Sequence, residues 1–387
     1  MAPAGVMSRI ETPMKLAFVL SRYFPYGGLQ RNFLRIAERC RDAGHRVVVF
    51  TLDWQGPVPA GFTVVPIRVR AVRNHARNLA FVRNLQPRLA AGGFDGVVGF
   101  LKVPGLDIYY AADPCYQART RQRGLLYKLD SRYRNLVALE RTVFAPESDT
   151  EILVLSAVEQ RHYMECYDTP AERFHPLPPG IERDRVRPPD AERRRAAMRR
   201  ELGLSDEDWL LLMVGSDFRR KGLDRSLRSL AALAPELRAR VRLLVVGEGK
   251  SDTYQRLAQR LGVSRQLTLL GACDDVPGLL LGADLLLHPA YTENTGNVLL
   301  EAMVAGLPVL ASGACGYAEH VTRADAGMVL PEPFSQGQLD RALARMLDHE
   351  RLARWSANGV AYGQREDLYS RPEVAARLIV ELLQRRG

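Results

Sequence analysis

The chain has 387 residues, 47% of them hydrophobic and 25% charged, which is the composition of a soluble globular protein too long for a single hydrophobic core. Its five cysteines (Cys40, Cys115, Cys166, Cys273, Cys315) are scattered without a CxxC spacing and its seven histidines form no HExxH, which excludes a disulfide framework and the familiar zinc sites; no apolar run approaches the ~20 residues of a membrane span. A net charge of +10 points to an anionic partner without choosing among nucleic acid, an anionic membrane and a phosphorylated substrate.

In chain order, residues 1–13 are expected to form a disordered extension, with Met14 the functional start. Lys15–Leu20 reads as a buried strand, too short for a signal-peptide core. A loop with Gly27 and Gly28 follows, then a helix over Leu29–Ala43 ended by Gly44, and a strand over Arg46–Leu52. This is a βαβ unit, and apolar runs at Thr63–Val69, Gly96–Leu101 and Ile152–Ser156 extend it toward a parallel sheet. Between the last two runs, residues 116–141 interleave Arg119, Arg121, Arg123, Lys128, Arg132, Arg134 and Arg141 with Tyr116, Tyr127, Tyr133, Leu125 and Leu126, opposed by Asp130 and Glu140 alone. Such a stretch suits an anionic membrane surface, where each cation contributes about 1 kcal/mol; RNA binding and a plain solvated helix face share the composition.

His175–Asp190 holds five prolines and reads as a linker, and Arg183–Arg200 as linker plus solvated helix. The second half repeats the pattern, with strands at Trp209–Val214, Arg242–Val246, Leu267–Leu270, Leu285–His288 and Val309–Ala311. The expected architecture is α/β: two doubly wound, Rossmann-like domains over 14–176 and 191–366, joined by a linker at 177–190 and facing across a cleft that holds the site. Residues 367–387 contain an amphipathic helix, Pro372–Gln384, expected to pack back on the first domain.

The segment 288–306, HPAYTENTGNVLLEAMVAG, carries the most chemistry. Glu293 and Glu301 stand either side of the turn Asn294-Thr295-Gly296-Asn297, which follows a buried strand and precedes an amphipathic helix over Val298–Val304. A helix N-terminus with its free N–H groups suits a phosphate; Glu301, about one turn along, is placed for the hydroxyls of a ribose, and Glu293 for a sugar beyond the phosphate. Together they describe a nucleotide-sugar site. After Trp209–Val214, the loop Gly215–Gly222 brings Arg220 and Lys221 to a strand's carboxyl end, where two cations suit a leaving pyrophosphate. Gly27-Gly28 and Gly247-Glu248-Gly249 are weaker signals, each more readily read as a tight turn. The literal DxD at Asp206-Glu207-Asp208 precedes a strand, at the wrong end of the domain for a metal site, and no other metal site is expected.

The blocks YFPYGGLQRNFLRIA (23–37), VVGFLKVPGLDIYYAADPCY (97–116), LPPGI (177–181), GSDFRRKGLDRS (215–226), GADLLLHPAY (282–291) and CGYAEH (315–320), together with the Glu293-x7-Glu301 element, resemble the GT-B retaining glycosyltransferases of family 4, and within them the lipopolysaccharide core glucosyltransferase I group. The resemblance implies transfer of a hexose, glucose first, from a UDP-sugar to a heptose of the lipopolysaccharide inner core, at the cytoplasmic face of the bacterial inner membrane, with no metal, no cofactor beyond the donor and no nucleic-acid partner. It implies Gly27 and Gly28 beside the donor phosphate, Asp113 near the reacting sugar, Arg220 and Lys221 on the pyrophosphate, Glu293 on the sugar, Glu301 on the ribose, the turn residues Asn294–Val298 around the nucleotide-sugar, and a membrane-interacting region over 113–144. Two departures stand out: Asn32 replaces an acidic residue of the pattern, and Asn294, Thr295 and Asn297 replace smaller apolar residues around the sugar. A galactose or N-acetylhexosamine donor, a different glycan acceptor, and a non-enzymatic anionic-membrane or nucleic-acid binder are the alternatives.

Overall fold

In the computed structural model, residues 12–25, 27–70, 74–121 and 123–386 are described, with the backbone alone for 74–76. Most of the expected N-terminal extension, and Tyr26 and Gln122, lie outside them. The chain divides into two compact units, one of residues up to Leu177 together with Ser370–Gly387, the other Pro178–Tyr369.

Unit 1 is built on a seven-stranded parallel sheet in the order Phe62–Pro66, Arg46–Thr51, Lys15–Val19, Gly96–Gly99, Ile108–Ala111, Glu151–Val154, Phe174–Pro176. Leu16 pairs with Val47 on one side and with Gly96 on the other, so Lys15–Val19 is central and the strand order reverses beside it. A central parallel strand is covered on both faces, which is why its sequence is continuously apolar. Leu16 and Phe18 pack with Phe33 and Ile36 of the helix Gly28–Asp42 and with Ile379 and Leu383 of the C-terminal helix Arg371–Gln384. Ala17 and Val19 face Phe81, Leu85, Phe144 and Tyr163 on the other side. Gly96 is small because Leu383 lies over it: a Cβ there would stand 2.3 Å from the Leu383 Cδ1.

Unit 2 repeats the design with six parallel strands in the order Leu267–Gly271, Val241–Val246, Trp209–Val214, Leu285–His288, Val309–Ser312, Gly327–Leu330. Its order reverses between Trp209–Val214 and Leu285–His288, paired through Leu211 with Leu285, so the loops after these two strands flank the switch point where such sheets bind ligands.

The structure departs from the sequence-based expectation in several places. Strands Ile108–Ala111, Phe174–Pro176 and Gly327–Leu330 were not foreseen. The helix Asn297–Ala305 is not amphipathic: Val298–Leu300 and Ala302–Ala305 are all buried, leaving Glu301 as the polar position along its body. The proline-rich stretch is not a free linker: it begins within the strand Phe174–Pro176, and the Leu177 N–H donates to the Val154 carbonyl at 2.9 Å. Ile181 is buried in the core of unit 2, and the Arg187 N–H donates to the Val304 carbonyl at 2.9 Å. Finally, the helix Ala191–Glu201 is tied to the sheet rather than solvated. Asp284, buried at the start of Leu285–His288, forms ion pairs with Arg195 and, at 3.0 Å, with Arg199, and accepts the Leu210 N–H at 2.7 Å.

Replacing Asp284 by Leu leaves Arg199 buried without its counter-charge, a loss of about 3 kcal/mol or more. Hydrogen exchange is expected to accelerate across 191–201 and 209–214 while unit 1 keeps its protection; unchanged exchange in both segments would refute this anchoring.

Candidate active site

The loop after Trp209–Val214 is held tightly. Asp217 adopts φ 63, which an aspartate tolerates, its N–H donates to the Glu248 carbonyl at 3.2 Å, and the Lys221 N–H returns to the Asp217 carbonyl at 3.1 Å. Gly222 closes the turn at φ +79, and a Cβ there would stand 2.1 Å from the Pro289 carbonyl oxygen. Only glycine lets the two switch-point loops touch, and the Tyr291 N–H then donates to the Arg220 carbonyl at 2.8 Å. This contact delivers Lys221, only 8% exposed, to Glu293. Lys221 Nζ and Arg220 Nη1 both donate to Glu293 Oε2, the latter at 2.7 Å, and Arg220 Nε lies 3.6 Å from Asp217.

The Glu293 turn rests on the loop after Val309–Ser312. The Glu293 N–H donates to Ala314, Gly316 to the Glu293 carbonyl at 3.0 Å and Tyr317 to that of Thr295 at 2.8 Å. Gly296 then enters the left-handed region at φ +85 and starts the helix Asn297–Ala305, whose N-terminus no side chain caps. Asn294 and Val298 are buried beside it, and the buried Asn297 amide oxygen has no partner among the described residues. Glu301 follows about one turn on, with Arg185 Nε 3.9 Å from its carboxylate.

Burial raises the Glu293 pKa, but Lys221 and then Arg220 outweigh it, and the carboxyl stays below the usual range. His288, just behind, is fully buried with neither ring nitrogen hydrogen-bonded among the described residues. Burial first, and then Lys221, depress its pKa to about 3, so the imidazole is neutral. Arg225 was not singled out from sequence: its guanidinium lies 3.6 Å from the ring centroids of both Tyr291 and Phe334 and donates to the Pro289 and Ala290 carbonyls at 3.1 and 3.0 Å, fixing the second loop. The Asp206-Glu207-Asp208 run has local partners: Asp208 accepts from Ser205 at 2.9 and 2.8 Å, and Glu207 pairs with Arg240.

The remaining candidates lie in unit 1. Gly27 precedes and Gly28 opens the helix Gly28–Asp42, which has no side-chain cap. Asp113 is exposed just past the carboxyl end of Ile108–Ala111, its carbonyl accepting the Tyr163 hydroxyl at 2.8 Å. Two buried carboxylates hold the chain after it: Glu159 accepts the Cys115 N–H at 2.8 Å, and Glu140 accepts the N–H groups of Tyr116 and Gln117 at 2.8 and 3.1 Å, Lys102 at 2.5 Å and the Tyr167 hydroxyl at 2.7 Å. Glu140 therefore does not offset the neighbouring surface cations, contrary to the sequence reading. Arg119, Arg121, Arg123, Tyr127, Arg132 and Arg134 are exposed and Lys128 half-buried, whereas Tyr116 turns inward, its hydroxyl 2.8 Å from that of Tyr127.

Two doubly wound parallel units, one with a lysine and an arginine held on a carboxylate before an open helix N-terminus, define a GT-B glycosyltransferase. Residues 194–361 match the model of the glycosyl transferases group 1, and residues 26–185 that of glycosyltransferase family 4. The chain is 44% identical to the lipopolysaccharide glucosyltransferase WaaG of Escherichia coli K12 over 95% of its own length and 98% of the relative's. A crystal structure of WaaG, a glycosyltransferase involved in lipopolysaccharide biosynthesis, superposes with a TM-score of 0.88 at 43% identity, covering 94% of this chain and 99% of that one. HepE of Anabaena in complex with UDP and glucose shares the fold at a TM-score of 0.71 and 20% identity, covering 95% and 100%. The chain belongs to the family 4 glycosyltransferases and, within them, to the WaaG family of lipopolysaccharide core biosynthesis.

The buried neutral histidine makes a pH prediction. With a folded pKa of about 3 against an ordinary value near 6.5, the unfolded chain binds a proton between those values that the folded chain refuses. His288 therefore makes stability fall as pH drops from about 6.5 toward 3, by about 1.4 kcal/mol per pH unit within that window. Replacing His288 by Leu should flatten the slope of unfolding free energy between pH 6.5 and 4.5 by that amount, whatever its absolute stability; parallel slopes would contradict the assignment.

Proposed function

We propose that the protein is a retaining transferase that moves a hexose, glucose first, from a UDP-sugar to a heptose of the lipopolysaccharide inner core, using neither a metal ion nor another cofactor. The observation that carries this reading is the convergence of Lys221 and Arg220 on one oxygen of Glu293, before the open N-terminus of Asn297–Ala305. A pyrophosphate entering there offers the two cations a stronger anion, and they pass to it from Glu293. The released carboxylate then accepts hydroxyls of the transferred sugar, and Glu301 those of the ribose. As the bond between the anomeric carbon and the phosphate oxygen breaks, Lys221, Arg220 and the helix N-terminus take up the growing charge on UDP, the part a metal plays elsewhere. The acceptor hydroxyl attacks from the same face and its proton passes to the departing phosphate oxygen, which preserves the anomeric configuration.

The same reading has the enzyme bind peripherally to the anionic inner face of the bacterial inner membrane, where its acceptor lies. The helix Leu125–Lys128 supports it: Leu125, Leu126 and Leu129 are 80%, 86% and 64% exposed, flanked by Arg121, Arg123 and Lys128, an apolar tip in a basic collar suited to an interface. No helix among the described residues is long and apolar enough to cross a membrane.

Incubation with a panel of UDP-sugars and lipopolysaccharide truncated to its inner core, read by mass spectrometry, tests the reaction; hexose transfer that continues in the presence of a chelator is expected. Lys221→Ala should reduce kcat by about 10²-fold or more, and near-normal turnover would remove Lys221 from the mechanism. Glu301→Ala should instead weaken UDP binding in calorimetry with little change in kcat, because a ribose contact is the same in ground and transition states.

Replacing Arg121, Arg123 and Lys128 by Ser should lower affinity for anionic vesicles by about 10²-fold, at about 1 kcal/mol per cation, and wild-type binding should weaken as salt rises. Equal co-sedimentation of variant and wild type would refute the membrane reading.

A further inference from the structure

Within unit 1, Asn78, Lys102, Asp113, Arg119, Arg132 and Glu140 line a cavity of about 220 Å³. Against the roughly 30 Å³ that a water occupies in the liquid, this is room for a monosaccharide. The charges in its wall are not equivalent. Lys102 and Glu140 pair with each other at 2.5 Å, and the remaining valence of Glu140 goes to backbone N–H groups and Tyr167, so this pair shapes the floor without attracting an ion. Arg119 lies with its guanidinium 5.4 Å from the Tyr116 ring centroid, and Arg132 stands in the first turn of the helix Ser131–Phe144, its backbone N–H donating to Asp130 at 2.6 Å. Neither guanidinium has a carboxylate partner among the described residues. Asp113, at the same cavity, has an exposed carboxylate on a loop that Glu159, Tyr163 and Glu140 fix from below.

Resting on the function proposed above, we propose that this cavity is the acceptor subsite and that Arg119 and Arg132 grip an anionic substituent of the acceptor glycan, a phosphate ester or a carboxylate, while Asp113 accepts a hydroxyl of the sugar that carries it. Two guanidinium forks without counter-charges match a planar or tetrahedral oxyanion, and a carboxylate beside them discriminates for a sugar over a bare anion. The basic run therefore divides between two tasks. Arg119 and Arg132 face the acceptor, and Arg121, Arg123 and Lys128, with the exposed leucines, face the bilayer.

The test is steady-state transfer to O-deacylated, water-soluble inner-core lipopolysaccharide in the absence of vesicles. Arg119→Gln with Arg132→Gln should raise the acceptor KM by about 10²-fold or more and leave the donor KM and the slow hydrolysis of the donor unchanged. Arg121→Gln with Arg123→Gln should behave as wild type with this soluble acceptor. Dephosphorylating the acceptor, or reducing its carboxyl groups, should bring wild type to the level of the Arg119/Arg132 variant without further loss in that variant, and the treatment that does so names the anion. An unaltered acceptor KM in the Arg119/Arg132 variant, an equal loss in the Arg121/Arg123 variant, or indifference of wild type to both treatments overturns the inference while transfer continues. No transfer by wild type to any form overturns the proposed function, and this inference with it.

Discussion

The geometry of unit 2 turns on a single carboxylate oxygen shared by an ammonium and a guanidinium. An ammonium as buried as that of Lys221 requires a counter-charge, because an unpaired ion away from water is far costlier than a paired one. Glu293 supplies it, 72 residues further along the chain, and most of the surrounding detail serves to bring the two together. Gly222 lets the loops meet at Pro289, Arg225 clamps the far loop between Tyr291 and Phe334, and the 314–317 segment carries the Glu293 turn on backbone hydrogen bonds. The triad carries one positive charge more than negative, offset in part by the exposed Asp217 beside Arg220, and lies at the positive end of a helix dipole, which attracts an anion.

Unit 1 uses buried carboxylates in another way. There, beside the buried guanidiniums of Arg173 and Arg371, two carboxylates are buried, Glu140 and Glu159, and backbone N–H groups of residues 115–117 donate to both. The chain after Asp113 is thereby ordered from inside, and the arginines that follow it point outward without carboxylate partners in the core. A buried acid that consumes local N–H donors sets where the neighbouring cations emerge; it does not neutralise them.

The two sheets were legible in the sequence because parallel strands covered on both faces are continuous apolar runs, as in Lys15–Leu20 and Trp209–Val214. Ile108–Ala111 escaped because its run is four residues, half of it tyrosine, ending against Asp113. Phe174–Pro176 was hidden by the prolines that follow, and Gly327–Leu330, an edge strand opening with glycine, has no alternation to reveal it. Arg220, Lys221, Glu293 and Glu301 stood out because each follows a recognisable strand at a distance suited to a nucleotide-sugar. That Glu293 would hold both cations in the free protein was not legible, since spacing reports position along the chain and not which loops touch. Arg225 gave no signal at all: an arginine in a helix next to other charges looks solvated, and only the tertiary fold places two rings about it. Glu140 was misread for a related reason, as one acid within a basic run looks like a solvated counter-charge, and only the tertiary fold turns it toward the backbone N–H groups of Tyr116 and Gln117.

The burial of Asn297–Ala305 nearly all round bears on catalysis as well as on stability. An amphipathic helix on the surface would move with its solvent face, and its free N–H groups would be partly hydrated before the substrate arrives. Here the helix is packed into the core of unit 2 with Glu301 its polar side chain along the body, so its terminal N–H groups are held in place before the anion enters. Electrostatic stabilisation of a leaving group is effective to the extent that the dipoles need not reorient as charge develops. The short helix Leu125–Lys128, with none of its residues buried, is free of that constraint, and contact with a lipid surface of variable composition requires none. On the proposed function, rigidity lies where charge develops and exposure where a soft surface is met, and the same chain provides both through which residues its core encloses.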